Sequence, residues 1–399
     1  VRELLDQATR QTDDLEVRGY GQMVLALAES RCGRPVPAHR LLVREAARVR
    51  RADPAGAAVM LLDAADAYCL AGEVQAALVA VRQAAHSAGH ARDPLPAVFA
   101  AAHAAVLALC GRLCEARAVV DASSAELEKA ALDADLPVGW RRILRLGLPA
   151  LLARLGELDT ACRILDEAIT QARAMDALGL LPRLLVLRAE LSLRTGDWEG
   201  ARTGAGEAVR LAQRGGQVSD EGPALVCLGR LAAARGRRDE CEGYLERARN
   251  IMRCGRLGGL AVPINAVEGL LELGTGGYEA AFVRLERLVR QVEAGSAADP
   301  GWVAWVPDFV EAAVHVGRRD EAHRVVATVW PQATGSVPLS AVLARCDGLL
   351  DRRSGCGRPR WCSRSWLPSR GPAARPGPWL RWSRPRIRRP GRPIRGWPR

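Results

Sequence analysis

The side chains in this chain that could do chemistry are few, and their spacing argues against it. His86 and His90 stand four apart in HSAGH, the interval at which two imidazoles on one helix face can share a metal. No glutamate lies between them, and Gly89 and Pro94 mark a helix end, so no metal site is expected there. Cys110 and Cys114 are also four apart. Gly111 divides them between two helices, where a reduced thiol packs as a small hydrophobe. His39, His103, His315 and His323 are isolated, and no Gly-x-Ser-x-Gly elbow presents a nucleophile. A phosphate-binding loop needs its lysine beside a glycine turn. The single lysine, Lys129, sits instead in the helical run AELEKAAL. The carboxylates alternate with arginines along helix faces, which is the pattern of a solvated surface. The expectation is a protein without catalysis and without a cofactor.

The elements that carry these residues follow a strict grammar. Gly33, Gly72, Gly111, Gly156, Gly196, Gly236, Gly276 and Gly317 recur at steps of about 40 residues, and such a period indicates a repeat array. Five residues after each glycine stands a small side chain: Ala38, Ala77, Ala116, Ala161, Ala201, Cys241, Ala281 and Ala322. Seven before it, six repeats also carry one (Ala26, Ala65, Ala104, Ala189, Gly229, Gly269), whereas Pro149 and Val310 depart from the rule. Each unit reads as two helices around a glycine that ends the first in a left-handed conformation. In the sixth, PALVCLGRLAAAR (223–235) is the first helix and RRDECEGYLERARNIM (237–252) the second. Cys241, Leu245 and Ala248 fall on one face of that second helix, and Arg238, Glu242 and Glu246 on the other. Loop signals separate the units at 89–94, 133–137, 214–223, 254–259 and 294–301. Alternating β-branched runs are absent, so no sheet is expected.

Charge divides the chain at residue 351. The last 48 residues hold 15 arginines, 9 prolines and 5 tryptophans with no acidic residue. The net +12 therefore belongs to this tail, and the remainder is about 3 units negative. A body so close to neutral gives no reason to expect contact with DNA. Arg, Pro, Trp and Ser are what GC-rich DNA encodes when read out of frame. The other reading of the tail is a basic disordered arm that neutralises phosphates and stacks bases on Trp361, Trp366, Trp379, Trp382 and Trp397. Eleven cysteines without paired spacing suggest a reducing, cytoplasmic compartment. VRELLDQATR is too charged for a signal peptide, and no uncharged apolar run suggests a membrane span. Val1 at the start fits either a GTG codon or an interior piece of a longer product.

The small–x6–Gly–x4–small pattern, clearest in LRAELSLRTGDWEGA (187–201), LGRLAAARGRRDEC (228–241) and LRLGLPALLARLGELDTA (144–161), resembles the tetratricopeptide repeat. That family's unit is nearer 34 residues. The longer step and the Ala/Leu/Arg-rich helices, as in 51–85, are similar to the helical region of large ATP-binding LuxR-type (MalT-like) transcription regulators. The resemblance spans roughly residues 17–350. It implies an all-α, right-handed superhelix of about eight helix pairs over 1–351, followed by a disordered, frameshifted or genuine tail over 352–399. It also implies a non-catalytic module for sensing a small-molecule inducer, binding a protein partner and self-association. This chain would then be a truncated piece without the NTPase and helix-turn-helix domains; the alternative is a free-standing scaffold for a peptide or protein partner. In either case the first helices should line the concave face, where Asp66, Arg183, Glu190, Ser192, Arg230 and Glu311 are the polar candidates for ligand contact.

Overall fold

The computed structural model describes residues 4, 7, 14–88, 95–132, 136–294 and 302–351. The tail at 352–399, His90, the expected loop at 89–94, residues 133–135 of the expected loop at 133–137 and all but the first residue of the expected loop at 294–301 lie outside the described residues. Eighteen α-helices and no strand occur among the described residues. They pair in chain order: α1 (Leu15–Arg31) with α2 (Pro35–Val49), α3 (Pro54–Ala71) with α4 (Val74–Ala88), and α5 (Leu95–Leu109) with α6 (Leu113–Ala122) and α7 (Ser124–Leu132). Next come α8 (Val138–Leu155) with α9 (Leu158–Ala174), α10 (Leu181–Thr195) with α11 (Trp198–Gly215), and α12 (Val218–Ala234) with α13 (Arg238–Gly255). The last pairs are α14 (Ala261–Gly274) with α15 (Tyr278–Glu293) and α16 (Trp302–His315) with α17 (Arg319–Val329), before an unpaired α18 (Val337–Asp351).

The glycine grammar has a direct structural cause. All eight turn glycines adopt φ between 70° and 101°, where an L side chain meets its own backbone. The small residues five positions on are all at most 1% exposed, because there the second helix crosses closest to the first. At the earlier small position, a Cβ on Gly229 would come within 3.1 Å of Leu245 Cδ2, and one on Gly269 would overlap Leu285. Leucine knobs from the second helix thus fill holes that only glycine or alanine leaves open.

Three details differ from the sequence expectation. The run 214–223 is not one loop: α12 begins at Val218 and carries Pro223 inside it. Gly216, at φ 64°, ends α11, and Asp220 and Glu221 then stand in the first turn of α12, where negative charge suits the helix N-terminus. The second helix of the third repeat breaks at Ser123 into α6 and α7. Finally, α3 is long and apolar enough to cross a membrane by length and composition, yet more than half of it is buried inside the fold, and both of its carboxylates are paired with arginines.

The array coils so tightly that successive superhelical turns touch. The turn of the first repeat sits against the start of the sixth, with Gly33 facing Val218 and Gly255, and Ser219 Oγ donates to the Ser30 carbonyl at 2.6 Å. The second turn meets the seventh repeat, where Gly258 and Gly259 press on the backbone of Cys69–Gly72. The third meets a 3₁₀ turn at Trp330–Gly335. There the Cys114 N–H donates to Gln332 Oε1 at 3.3 Å, and a Cβ on Gly335 would lie 2.5 Å from the Cys114 nitrogen. The fourth meets α18, with Pro338 against Gly156 and Ser336 Oγ donating to the Arg154 carbonyl at 2.6 Å. One superhelical turn is therefore about five repeats, and it leaves no gap along these seams.

Candidate functional site

The inner surface is built by the first helices of the repeats, and its charges fall into two groups. In the N-terminal group, helices from opposite walls meet across the axis. Asp63 and Asp66 are three apart on the otherwise apolar α3. Asp63 pairs with Arg142 of α8. Asp66 takes both arms of Arg183 from α10, one of them at 2.8 Å. Arg31 of α1 grips Asp220 of α12 with one nitrogen, at 2.9 and 2.8 Å to the two carboxylate oxygens. Side-chain exposure is 1% for Asp63 and 4% for Asp220, so these are interior bonds between distant repeats. Burial pushes the Asp63 carboxyl above the ordinary carboxylate range against the pull of Arg142, and its Oδ2 has no partner. Burial acts the same way on Asp66, but the charge and hydrogen bonds of Arg183 outweigh it and hold that carboxyl low.

The C-terminal group lies on α10, α12, α16 and α18. Asp308 and Glu311 are again three apart on an apolar helix, WVAWVPDFVEAAVH. Glu311 Oε2 accepts from Arg345 Nη2 of α18 at 3.0 Å. Asp308 is half-buried beside the core residues Trp305 and Phe309, and no hydrogen bond closes on it. Arg230 of α12 and Arg345 supply field without contact. Burial raises the Asp308 carboxyl to about 7, with Arg230 opposing and Glu311 adding to the rise. Arg230 is also half-buried and closes no ion pair. It shares the neighbourhood of the buried Cys227 thiol with Glu190, which is exposed on α10.

Of the six residues singled out from sequence, Asp66 and Arg183 therefore satisfy each other, while Glu190, Arg230 and Glu311 converge on the C-terminal half. Ser192 is turned away from the groove. It is 3% exposed, accepts from Arg188 Nη1 at 2.9 Å and lies 3.3 Å from Asp197 Oδ2 at the turn into α11. Sequence reasoning missed Asp63, Arg142, Asp308 and Arg345. Two acids three apart inside an apolar first helix, at 63/66 and again at 308/311, were the available signal.

The side chains that could do chemistry are kept apart in the fold. Among the described residues no three His, Cys, Asp or Glu side chains gather as a metal site would require. His86 is exposed at the end of α4. Cys110 Sγ faces the Val74 carbonyl at 3.8 Å, and Cys114 Sγ faces the Pro331 carbonyl at 3.1 Å. Burial pushes the Cys227 thiol far up, Cys241 to about 11 and Cys346 to about 12, so these stay protonated and are weak nucleophiles.

The fold and this inner surface define a tetratricopeptide-like helical repeat protein. No family model matches the chain, and no curated protein matches it. Among solved structures it is similar to a Rap protein complexed with Competence and Sporulation Factor. The TM-score is 0.55 and the identity 12%, over 84% of this chain and 89% of that one. At that identity the likeness is one of fold.

Proposed function

We propose that the chain is a non-catalytic scaffold that takes a peptide or an extended segment of a protein partner on the concave face of its C-terminal half. The observation that carries this reading is the contrast in the inner charges. In the N-terminal half the inner Asp63, Asp66 and Asp220 are each tied to an arginine of a distant repeat, whereas among the described residues no ion pair closes on Asp308, Arg230 or Glu190 on the first helices of the C-terminal half. Charged side chains left without an ion-pair partner on the inner face of an array are available to a ligand. The Rap protein of similar fold was solved in complex with another factor, which supports the reading by analogy of architecture.

The test is selection of a displayed random heptapeptide library on the immobilised full chain. Selected peptides should compete with one another and lose binding when Glu190→Arg is introduced, while Arg202→Glu on the outer helix α11 leaves them bound. Failure to select any peptide, or binding indifferent to Glu190→Arg, overturns the proposal. A more specific reading is that the array is the sensing and self-association region of a LuxR-type regulator. It is favoured by the step of about 40 residues in place of about 34. A helix-turn-helix encoded downstream of codon 351 in any frame would support it; its absence would leave the free-standing scaffold.

A further inference from the structure

The last helix, α18, has the register of a first helix. Leu339, Leu343, Cys346 and Leu350 stand at the same intervals from Gly348 as Leu260, Ile264, Val267 and Leu271 from Gly269, and all eight are at most 6% exposed. α18 packs on α16 as α16 packs on α14 and α14 on α12. The opposite face carries Ala341, Ala344 and Gly348, with Val337 67% exposed at its start. In the sixth and seventh repeats the same face is covered by the second helix. A Cβ on Gly229 would come within 3.1 Å of Leu245 Cδ2, and one on Gly269 would overlap Leu285. The residue that supplies this knob, nine past the turn glycine, is apolar and at most 6% exposed in all eight repeats. A Cβ on Gly348 would meet nothing within 4 Å among the described residues, so α18 offers the hole without the knob. A charge is left open in the same way. Glu268, one residue before Gly269, accepts from Arg284 Nη1 of its second helix at 2.7 Å and from Arg249 of α13. Asp347 holds the corresponding place on α18, half-buried, and no hydrogen bond or ion pair closes on it among the described residues. The sequence that follows does not carry the missing pattern. Gly355 keeps the seven-residue interval from Gly348, but Arg360 and Arg364 stand at the small and apolar positions five and nine beyond it. Pro368, thirteen beyond, falls inside the span of a second helix.

We propose that this face of α18 is a docking site for an amphipathic helix of a partner protein, which takes the place of a second helix. The occupant follows from what α15 places on α14: a small residue, then a basic residue three positions on and a leucine four positions on, as in Ala281, Arg284 and Leu285. The leucine enters beside Gly348, the small residue lets the two helices approach closely, and the basic residue meets Asp347. A second copy of this chain does not fit. Its α18 would set Ala344 and Gly348 against the same small residues, and its own knobs are buried inside their repeats. The site is separate from the concave face and does not depend on the reading given for that face.

The experiment uses the full chain and, as probe, a fluorescein-labelled synthetic peptide with the sequence of residues 277–294, followed by fluorescence anisotropy. The peptide should bind saturably. Leu285→Asp in the peptide should weaken binding about tenfold or more, as loss of a buried anchor does. Gly348→Leu in the protein fills the hole and should weaken it to the same extent. That variant should melt no lower than the wild type, because the added side chain meets open space and leucine favours a helix over glycine. Asp347→Arg should weaken binding about two- to fivefold, and Arg284→Asp in the peptide should restore it. Glu190→Arg, on the concave face, should leave binding unchanged. Absence of saturable binding to the wild type, or binding indifferent to Gly348→Leu in a protein that melts normally, overturns the proposal and leaves the concave-face reading standing.

Discussion

The α3 wall and the α16 wall are two versions of one design with opposite outcomes. Each is an apolar first helix with two acids at i and i+3 facing the axis. Around α3 the superhelix has closed, and Arg142, Arg183 and, one turn on, the Arg31–Asp220 pair tie repeats that are 79 to 189 residues apart in sequence. Around α16 only Glu311 is met, and by α18, 34 residues away. The difference teaches that the same pair of acids becomes a set of structural rivets where opposite walls meet and keeps a carboxylate without an ion pair where they do not. Breaking or grafting single charges should tell the two apart.

The largest effect should come from the closed wall. Arg142→Met leaves Asp63, 1% exposed, as a buried unpaired charge, and such a change costs about 3–5 kcal/mol. Arg345→Met should cost less than about 1 kcal/mol, because its partner Glu311 is 29% exposed and water can replace the bond. Urea unfolding of both variants checks the ranking. Equal losses would show that the α3 wall is no more closed than the α16 wall. The seams give a second contrast. Gly335→Ala drives a Cβ into the backbone of Leu113 and Cys114 and should cost on the order of 2–3 kcal/mol, opening the third seam to proteolysis. Gly236→Ala meets open space and bears only the strain of φ 70°, about 1 kcal/mol.

Asp308 should respond with the opposite sign. Its carboxyl titrates near 7 in the fold against 3.8 for an ordinary aspartate. Between these values the folded protein holds a proton that the unfolded chain has lost, so stability falls as pH rises from about 4 to 7. Asp308→Asn should remove that slope and stabilise the protein at pH 8 by on the order of 1 kcal/mol or more. Melting curves from pH 5 to 8 decide it. A variant that loses stability at pH 8 would mean that Asp308 is a rivet like Asp66.

Why the sequence revealed so much of the fold and less of the site follows from the range of the interactions. The helix pairs were legible because Gly236, Cys241 and Gly229 act within one repeat, where spacing is fixed by the chain itself. The ring closure was not, since nothing local to Asp66 announces Arg183 from three repeats later. Asp66 and Arg183 were both singled out from sequence as groove residues without any sign that they bind each other. Ser192 was misplaced for a related reason. One polar residue on a first helix can face the groove or its own second helix, and a shift of one position along α10, from Leu191 to Ser192 or Leu193, decides which. Asp220 was hidden because Gly215, Gly216 and Pro223 made its segment read as loop, although a proline near a helix start is tolerated.

The smallest effect expected concerns His39, whose ring stacks on Tyr68 with centroids 4.0 Å apart at the first interface between repeats. Both of its ring nitrogens are buried without partners. Burial lowers its pKa below the ordinary 6.5, with Glu73 opposing and Arg40 assisting. The sign is the reverse of that for Asp308. Here the unfolded chain gains a proton first, so stability is full above about pH 6.5 and drains away as pH falls below it, by at most about 1.4 kcal/mol per pH unit. His39→Phe keeps the stacked ring and removes the proton, and should abolish the loss of stability that His39 causes as pH falls below 6.5, while leaving the opposite slope between about pH 4 and 7, which belongs to Asp308, unchanged. If His39→Phe and the wild type lose stability in parallel below pH 6.5, the acid sensitivity lies elsewhere, and the rivets of the α3 wall, with Asp66 held low by Arg183, become the groups to titrate.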